Sequence, residues 1–466
     1  MSAVHLLRGC AFHMPPKGLH RASTSWVEAT AHDDRLLVLR HVCLEAHRVH
    51  FFSNATARQL FERRREPYRV WQHSALPKKA PPTWRFDSVS HEESDPKGVE
   101  GLSSALWISD TSFLQVPHKA MDNIFHFHNN FVAPLMLNVV LSASLDVPKH
   151  LFMFKTWPPQ FQVERATRDR FPTAKPLRVS EWPFNATHPA LFYVLHRLFA
   201  NVTWPVDHVW EAGHALCFRR LVWSQQLTTA RMPYMDYNQS EHLYHRYGLA
   251  QIMRDRIRAA ASLHVLAAPP LTPAANMRIP SLTWVSRQAT CSSGNSMGRC
   301  VRNLAEALQV LRSASIYGTV RALDDFKKYD EQRLRDLQLR HLLELLQQTD
   351  VLVGLHGAGL THIVYLSARS AVVEIKDRFW YEQRKIHIYQ AIARLQGVGY
   401  ISADVRKVPS TAEGLVLSAN QSIRLGHAAS NLWHKTQEAA DVDADWARHC
   451  HVAHGKVDCH MPTVVL

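Results

Sequence analysis

A short apolar run that ends in a glycine-rich turn constrains the fold of this 466-residue chain more than any other stretch. The run is Val351–Val353, and the turn at 356–359 reads His-Gly-Ala-Gly. A helical pattern precedes the run at Arg333–Leu346, and a second strand-like run follows at Ala371–Ile375. Short β-branched runs without polar alternation are typical of strands buried on both faces of a parallel sheet. This succession of helix, strand, turn, helix and strand predicts an α/β layer.

The position of the glycine turn suggests a role in binding. Ligands of open α/β sheets bind at the carboxyl ends of the strands, and the backbone N–H groups of a glycine turn can surround a phosphate. We therefore interpret residues 356–361 as the floor of a nucleotide pocket. The alternative is that the turn only reverses the chain, because short glycine turns also follow strands where no ligand binds.

The charge of the chain predicts an attraction for anions but no nucleic-acid partner. The formal net charge is +14, and the length allows two or three domains. The positive charge is spread along the chain apart from Arg63–Arg65, and no nucleic-acid-binding signature is present. We expect a general positive field that favours anionic small ligands.

Two pairs of cysteines, among seven in the chain, have the spacing of short disulfide-closed loops. Cys291 and Cys300 bracket a polar segment, and Cys450 and Cys459 bracket another. In an oxidising compartment, such bridges would stabilise the fold by restricting the unfolded chain. Free thiols are the alternative. The spacing does not fit a zinc knuckle, and no metal site is expected.

Five Asn-x-Ser/Thr sequons favour a glycosylated protein of the secretory-pathway lumen, in the endoplasmic reticulum or Golgi. The first residues lack the apolar core of a signal peptide, and no run approaches the roughly 20 apolar residues of a membrane span. We therefore expect no transmembrane segment in this chain. The sequons begin at Asn54, Asn185, Asn201, Asn238 and Asn420.

Histidines and asparagines are concentrated at the start of an otherwise apolar helical pattern between 122 and 135. Asn123, His126, His128 and Asn130 carry the polar side chains of this block. Polar groups in an apolar helix cost free energy unless they find partners. A functional pocket is one explanation, and helix capping or a buried hydrogen-bond network is the other.

Several of these segments resemble glycosyltransferase family 61. The sequence His-Gly-Ala-Gly-Leu-Thr-His at 356–362, together with Val373–Ile375, resembles the family signature, and residues 391–401 extend the likeness. Asn123 and His126 match the family's Asn-x-x-His motif. The chain departs from the pattern at Asn130, where the family is expected to have aspartate, so a base at that position would be missing.

The resemblance implies a GT-B-like α/β fold with two Rossmann-like domains facing a cleft. It implies an inverting transfer of a sugar from a UDP-sugar to a hydroxyl of a protein Ser/Thr or of a glycan. GlcNAc is the favoured sugar and xylose the second candidate. The family's chemistry predicts no metal and no cofactor other than the UDP-sugar co-substrate. The alternative is a catalytically inactive member that binds a UDP-sugar or a glycan.

Changes of pattern along the chain predict four segments. Residues 1–35 are expected to be irregular, and 36–268 to form an N-terminal acceptor-side domain. After a proline-rich linker, 281–411 would form the nucleotide-sugar domain, followed by a helical tail at 412–466. The predicted elements include strands at 36–44, 49–52, 151–154, 178–184, 215–223 and within 310–320, a helix at 244–266, and a long surface loop at 67–96.

Arginine and backbone amides are the expected ligands of the donor's diphosphate. Arg287 follows the strand-like run Leu282–Ser286 and can offer a bidentate guanidinium fork. Arg302 and Asn303 belong to a family-like run whose spacing is loosened here, so which arginine matches stays open. The nucleotide-sugar ligands expected at the turn are His356, Gly357, Ala358, Gly359, Leu360 and Thr361.

Three side chains receive more specific predictions. His356 would contact the phosphate or the sugar, unless it is a structural histidine. Thr361 would cap the following helix or bind a phosphate. Glu374, at a strand end, suits paired ribose hydroxyls, with a salt bridge as the alternative.

The catalytic base is assigned to His126 or His128, because an amide at Asn130 cannot accept the proton. Asn123 and Asn130 are placed on the acceptor side.

Overall fold

The computed structural model of the chain describes residues 26–28, 36–45, 48–64, 87–92, 98–100, 102, 104–115, 124–128, 132, 135, 150–153, 198–199, 201–203, 213–224, 249–260, 278–286, 300–324, 332–376, 388–405, 410–411, 414–438, 450–453, 456–459 and 463–466.

Two compact units divide the chain, and both are discontinuous in sequence. Unit 1 comprises Met1–Asp122, Asn130–Thr187 and Val194–Ala230, and unit 2 comprises Asn123–Asn129, His188–Tyr193 and Arg231–Leu466. This division differs from the predicted boundaries. The polar block around 124–128 and the helix near 250 were expected in the N-terminal domain, but both contact elements of unit 2.

Unit 1 is built on a mostly parallel eight-stranded sheet. The order is β4-β3-β2-β8-β5-β6-β7, with β1 paired to β2, and β2 runs opposite to its three neighbours. The elements are β1 (Trp26–Glu28), β2 (Leu36–Glu45), β3 (Arg48–Phe52), α1 (Ala55–Arg64), β4 (Asp87–His91), β5 (Leu106–Gln115), β6 (His150–Met153), β7 (Asn201–Thr203) and β8 (Leu216–Ser224).

Alternate residues of β2 and β8 fill two cores on opposite faces of the unit 1 sheet. On one face, Phe61 of α1 packs with Trp223 and other apolar residues of the sheet. On the other face, Cys43 and Cys217 lie opposite one another in the β2–β8 register and form a disulfide across 174 residues. This bridge was not predicted, because neither cysteine has a nearby partner in sequence.

Unit 2 contains the strands and helices around the glycine turn. They are α2 (Ile124–Phe127), α3 (Leu249–Ala260), β9 (Ser281–Ser286), α4 (Leu304–Ser313), β10 (Thr319–Asp324), α5 (Gln332–Gln347), β11 (Val351–Leu355), the 3₁₀ helix η1 (Ala358–Tyr365), β12 (Ala371–Lys376), α6 (Ile388–Leu395), β13 (Gly399–Asp404), β14 (Ser410–Thr411), β15 (Gly414–Leu415), α7 (Ala419–Glu438), β16 (Cys450–Ala453), β17 (Lys456–Cys459) and β18 (Thr463–Val465).

The main sheet of unit 2 is parallel throughout, in the order β10-β9-β11-β12-β13-β18. From β9 the chain moves outward to β10, and then returns to place β11 on the other side of β9. The strand order therefore reverses between β9 and β11. In open parallel sheets, the crevice at the carboxyl ends of two such strands is where ligands bind.

Helices cover both faces of this sheet. Leu304, Leu308 and Leu311 recur at helical spacing on α4, and they share one core with β9, β11 and α7. On the other face, an added Cβ at Gly354 would lie 3.0 Å from Cδ2 of Leu360, which shows how closely η1 approaches β11. The helices α2, α3, α5 and α6 contact η1.

The predicted α/β, GT-B-like class is confirmed, because each unit combines a mostly parallel sheet with helices. Among the helices that the structure describes, none combines the length and apolar character needed to cross a membrane.

Some element predictions were wrong. The stretch 310–320 belongs mainly to α4 and the following turn, and its strand begins only at Thr319. The predicted loop at 67–96 contains β4, and the predicted irregular start contains β1. The predicted strand at 178–184 lies outside the described residues.

The tail after 412 is only partly helical. The helix α7 is present, but β16 and β17 form a hairpin and β18 completes the parallel sheet. Cys450 and Cys459 lie directly opposite each other in the hairpin register, as a disulfide between them requires. Cys300 is disulfide-bonded, whereas its predicted partner, Cys291, lies outside the described residues.

Candidate active site

The candidate site lies at the carboxyl edge of the unit 2 sheet, at the neighbouring strands β9 and β11. The strand order reverses between these two strands. The strand β9 ends at Ser286 and β11 ends at Leu355, so their following residues are Arg287 and His356. Arg287 lies outside the described residues, and its diphosphate role stays a prediction. The glycine turn therefore follows the carboxyl end of a buried strand, as predicted, and it lies where the strand order reverses.

The turn is specified by Gly357, which has φ 154° and ψ 176°. Side chains with a Cβ avoid this backbone region, so glycine is required here. The helix η1 begins at the next residue, Ala358, and no side chain caps it at Gly357. The first N–H groups of such a helix have no acceptor in their own turn, so they are available chemically to bind an anion.

Most of the turn is buried, and within 356–360 only Ala358 is partly exposed to solvent. Ala358 is partly exposed, whereas the flanking glycines and Leu360 are buried. Thr361 lies in the second turn of η1 with a fully buried side chain. Because the helix begins at Ala358, the prediction that Thr361 caps it was wrong, and the phosphate role of Thr361 stays a prediction.

His356 is fixed by contacts on both its backbone and its ring. Its N–H donates to the carbonyl of Ile375 at 2.9 Å and thereby extends the β11–β12 pairing by one residue. Its Nδ1–H donates to the carboxylate of Glu374, and its ring contacts Tyr389 edge-to-face with centroids 5.2 Å apart. The imidazole is therefore held in one orientation at the start of the turn.

Glu374 accepts bonds on both carboxylate oxygens although it is only 1% exposed. His356 binds Oε1, the Tyr400 hydroxyl donates to Oε2, and Nζ of Lys376 lies 3.8 Å from Oε2. Burial by itself raises the pKa of Glu374, but the charge of Lys376 and the bonds from His356 and Tyr400 outweigh it, so the pKa lies below its ordinary value. The alternative of a salt bridge is present in the structure, and the ribose role stays a prediction.

His128 is fully buried and hydrogen-bonded to a tyrosine. Its Nε2 lies 2.7 Å from the hydroxyl of Tyr365 in η1, and the two rings meet edge-to-face. Burial, followed by the charge of His362, lowers the pKa of His128 to about 3. A histidine with so low a pKa is a weak proton acceptor near neutral pH. These contacts favour the buried-network explanation for His128 over the role of catalytic base.

Three other residues of the polar block were predicted to have functional roles: His126, Asn123 and Asn130. His126 lies in α2, which contacts η1, and its side chain is outside the described part of the chain. Asn123 and Asn130 are outside it too. Their acceptor-side roles, and the role of His126 as base, stay predictions.

Two buried arginines of α3 hold the end of η1, and sequence analysis missed both. Nη2 of Arg258 donates to the carbonyl of Tyr365 at 2.7 Å, and Nη1 of Arg254 donates to that of Leu366 at 3.1 Å. Burial, then the charge of Arg254, lowers the pKa of Arg258 to about 10, so it remains charged at neutral pH. The available signal was the presence of arginines on the apolar stripe of the 249–260 helix.

Asn303 has a structural partner in unit 2. Its Nδ2 donates to the carbonyl of Leu417 at 2.7 Å, and its Oδ1 accepts the N–H of Leu417 at 3.0 Å. Beside it, the exposed Arg302 donates its backbone N–H to the carbonyl of Leu415. The segment 300–303 is thus tied to the strand before α7, and the nucleotide roles of Arg302 and Asn303 stay predictions.

Comparison with protein families identifies the class of the chain. The family model for glycosyltransferase 61 matches residues 124–373, more than half of the chain. The chain belongs to the glycosyltransferase 61 family. The matched region runs from α2 to the middle of β12 and includes β9, the glycine turn and η1. Glycosyl transfer is the chemistry of this family, and the predicted resemblance is confirmed.

Individual relatives in the family align over a smaller part of the chain. The chain is 35% identical over 94 residues to the EGF domain-specific O-linked N-acetylglucosamine transferase of Drosophila melanogaster. The aligned residues cover 20% of this chain and 16% of that relative. The enzyme of the same name from Mus musculus is 32% identical over 104 residues, covering 22% and 17%. The chain thus aligns with less than one fifth of the length of these relatives.

Proposed function

We propose that the protein transfers a sugar, with inversion, from a UDP-sugar to a hydroxyl of a protein Ser/Thr or of a glycan. The observation that supports this most directly is the glycine turn at the switch point of the unit 2 sheet, inside the region that matches the glycosyltransferase family. An uncapped helix start at this edge suits the diphosphate of a nucleotide sugar.

The proposed chemistry requires a base and a place for negative charge. The acceptor oxygen attacks the anomeric carbon from the face opposite the departing UDP, through a transition state with oxocarbenium character. The N–H groups near Ala358 and the guanidinium of Arg287 would stabilise the charge that develops on the diphosphate. No metal or cofactor takes part in this proposal.

His126 is the candidate base that the proposal retains. His128 is buried against Tyr365 with a low pKa, so it is poorly suited to accept a proton from an acceptor hydroxyl. Replacement of His126 by alanine should abolish turnover while UDP binding persists. Retention of full turnover in this variant would exclude His126 as the base.

GlcNAc is the favoured donor sugar, because the relatives named above are N-acetylglucosamine transferases. Xylose is the second candidate. The secretory-pathway lumen, endoplasmic reticulum or Golgi, is the proposed compartment, since the Cys43–Cys217 disulfide persists in oxidising surroundings. Asn420, one of the sequon asparagines, is exposed on α7 and suits a glycosylated protein.

Binding of a UDP-sugar without turnover is the second candidate function. It is favoured by the burial of His128, which removes one of two proposed bases, and by the amide at Asn130. This function would use the same glycine turn but need no acceptor hydroxyl.

Calorimetric titration of the purified chain with UDP, UDP-GlcNAc and UDP-xylose tests donor binding. Turnover is then measured as UDP release with EGF-like domains and a panel of glycans as acceptors, with and without EDTA. UDP release that depends on an acceptor and resists EDTA supports the transferase, whereas binding without release supports the second candidate. Absence of binding to every UDP-sugar would exclude both.

A further inference from the structure

Stability alone does not readily explain the buried carboxylate of Glu374. In the strand register Glu374 lies beside Gly354, on the face of the sheet that η1 covers. Taking a carboxylate out of water costs several kcal/mol, and apolar residues of similar volume are often at least as stabilising as a buried ion pair. We therefore looked for a role of the Glu374 charge in the groups to which the carboxylate is hydrogen-bonded.

The groups around Glu374 link it directly to the proposed donor site. One carboxylate oxygen binds His356, the first residue of the glycine turn, and the other binds the hydroxyl of Tyr400. Lys376 approaches the second oxygen to 3.8 Å. Tyr400 and Lys376 thus fix the carboxylate from one side, which leaves its other oxygen directed at His356.

The ring of His356 is restrained by more than this hydrogen bond. Its backbone is tied to Ile375, and Tyr389 packs against the ring edge-to-face. Tyr389 is itself in edge-to-face contact with Phe125 of α2, with centroids 6.0 Å apart. With Nδ1–H bound to Glu374, Nε2 is the ring nitrogen that points away from the carboxylate.

We propose that Glu374 is a positioning residue that acts through His356, holding Nε2 of the imidazole toward the diphosphate of the nucleotide sugar. The proposal rests on the proposed function and deepens it. A hydrogen bond between Nε2 and a phosphate oxygen would be charge-assisted and therefore shorter and stronger than one between neutral groups. This assignment replaces the ribose role that the sequence predicted for Glu374.

Comparison of UDP with uridine separates the two roles of Glu374. The Glu374→Gln variant keeps the shape of the side chain and removes its charge. We expect it to weaken UDP binding about tenfold, as loss of one charge-assisted hydrogen bond would, and to leave uridine affinity unchanged. A ribose ligand would instead weaken both. In a His356→Ala background, Glu374→Gln should cause no further loss of UDP affinity.

Two further variants keep the test decisive if a buried substitution impairs folding. His356→Asn retains an amide donor toward Glu374 but lacks Nε2, and it should lose UDP affinity to a similar extent. Thr283→Val removes a 2.7 Å hydrogen bond to Thr349, which lies just before β11. This control should lower the thermal midpoint and leave UDP affinity at the wild-type value.

The outcomes distinguish this proposal from the proposed function. If the wild-type chain binds UDP and neither Glu374→Gln nor His356→Asn changes its affinity, the positioning role is overturned. Equal losses for uridine and UDP in Glu374→Gln would also overturn it and restore the ribose assignment. If the wild-type chain does not bind UDP, the proposed function fails first.

Discussion

Replacing Asn303 by alanine is expected to lower the free energy of unfolding of unit 2 by about 2 kcal/mol. The amide of Asn303 makes two hydrogen bonds with the backbone of Leu417, at 2.7 and 3.0 Å. Each such bond contributes about 1 kcal/mol net. Leu417 is 2% exposed, so water has little access to replace either partner.

The Asn303→Asp variant tests the geometry of this contact. Aspartate keeps an oxygen for the N–H of Leu417 but places a second oxygen against the carbonyl, where Nδ2 now donates. Asn303 also directly precedes α4, where a carboxylate stabilises a helix by about 1 kcal/mol. Because the second carboxylate oxygen would also lie near Glu306, whose Oε2 is 3.3 Å from Nδ2, we expect a net loss at least as large as in Asn303→Ala, and recovery at acidic pH when a protonated carboxyl can donate to Leu417.

The measurement must report on unit 2 alone, because two units need not unfold together. Hydrogen exchange of the buried β11 amides, read by mass spectrometry, gives the opening free energy of this sheet. Gln309→Ala, at an exposed site on α4, is the control and should change it by less than about 0.5 kcal/mol. Unchanged β11 exchange with weakened UDP binding in Asn303→Ala would refute the structural role and return Asn303 to the nucleotide site.

Three further predictions follow from the backbone, the disulfide and the buried carboxylate. Gly357→Ala should lower the free energy of unfolding by about 1–3 kcal/mol, because the φ of 154° is unfavourable for a residue with a Cβ. Gly318→Ala is the control and should not lower it, because the added Cβ would lie 3.7 Å from its nearest atom, the carbonyl oxygen of Ile279. Thermal denaturation of both variants checks this. Reduction should lower the unfolding midpoint of the wild type, and Cys43→Ser/Cys217→Ser should lose about 2–5 kcal/mol by denaturant titration. The depressed pKa of Glu374 stabilises the fold above the ordinary value of 4.5, and this contribution disappears as the pH falls through the folded-state pKa. Acid titration of stability should therefore be shallower in Glu374→Gln, and an identical slope would contradict the assignment.

The sheet of unit 2 could be predicted from the sequence because strands that are buried on both faces appear as short apolar runs. The strand β11 is a continuous apolar run apart from Gly354, and β12 is one apart from Glu374 and Lys376. Each is followed by a change of pattern. The glycine turn could be located for a different reason, because Gly357 occupies a backbone conformation that other residues avoid.

The roles of the polar residues could not be predicted in this way. The partner of Asn303 is 114 residues away in sequence, and that of His128 is 237 residues away. A local pattern records whether a residue is polar, but not which distant group will receive its hydrogen bond. Arg258 was missed for the same reason, because its acceptor is the backbone carbonyl of Tyr365, which no side-chain motif reveals.

The interleaving of the two units along the chain has a practical consequence for dissecting the protein. A fragment that begins at residue 231 would omit α2 and His128, and with them the hydrogen bond to Tyr365 and the ring contact of Phe125 with Tyr389. No single cut therefore yields unit 2 with all its packing. Exchange of donor specificity between relatives would have to graft a short upstream peptide together with the carboxyl-terminal half.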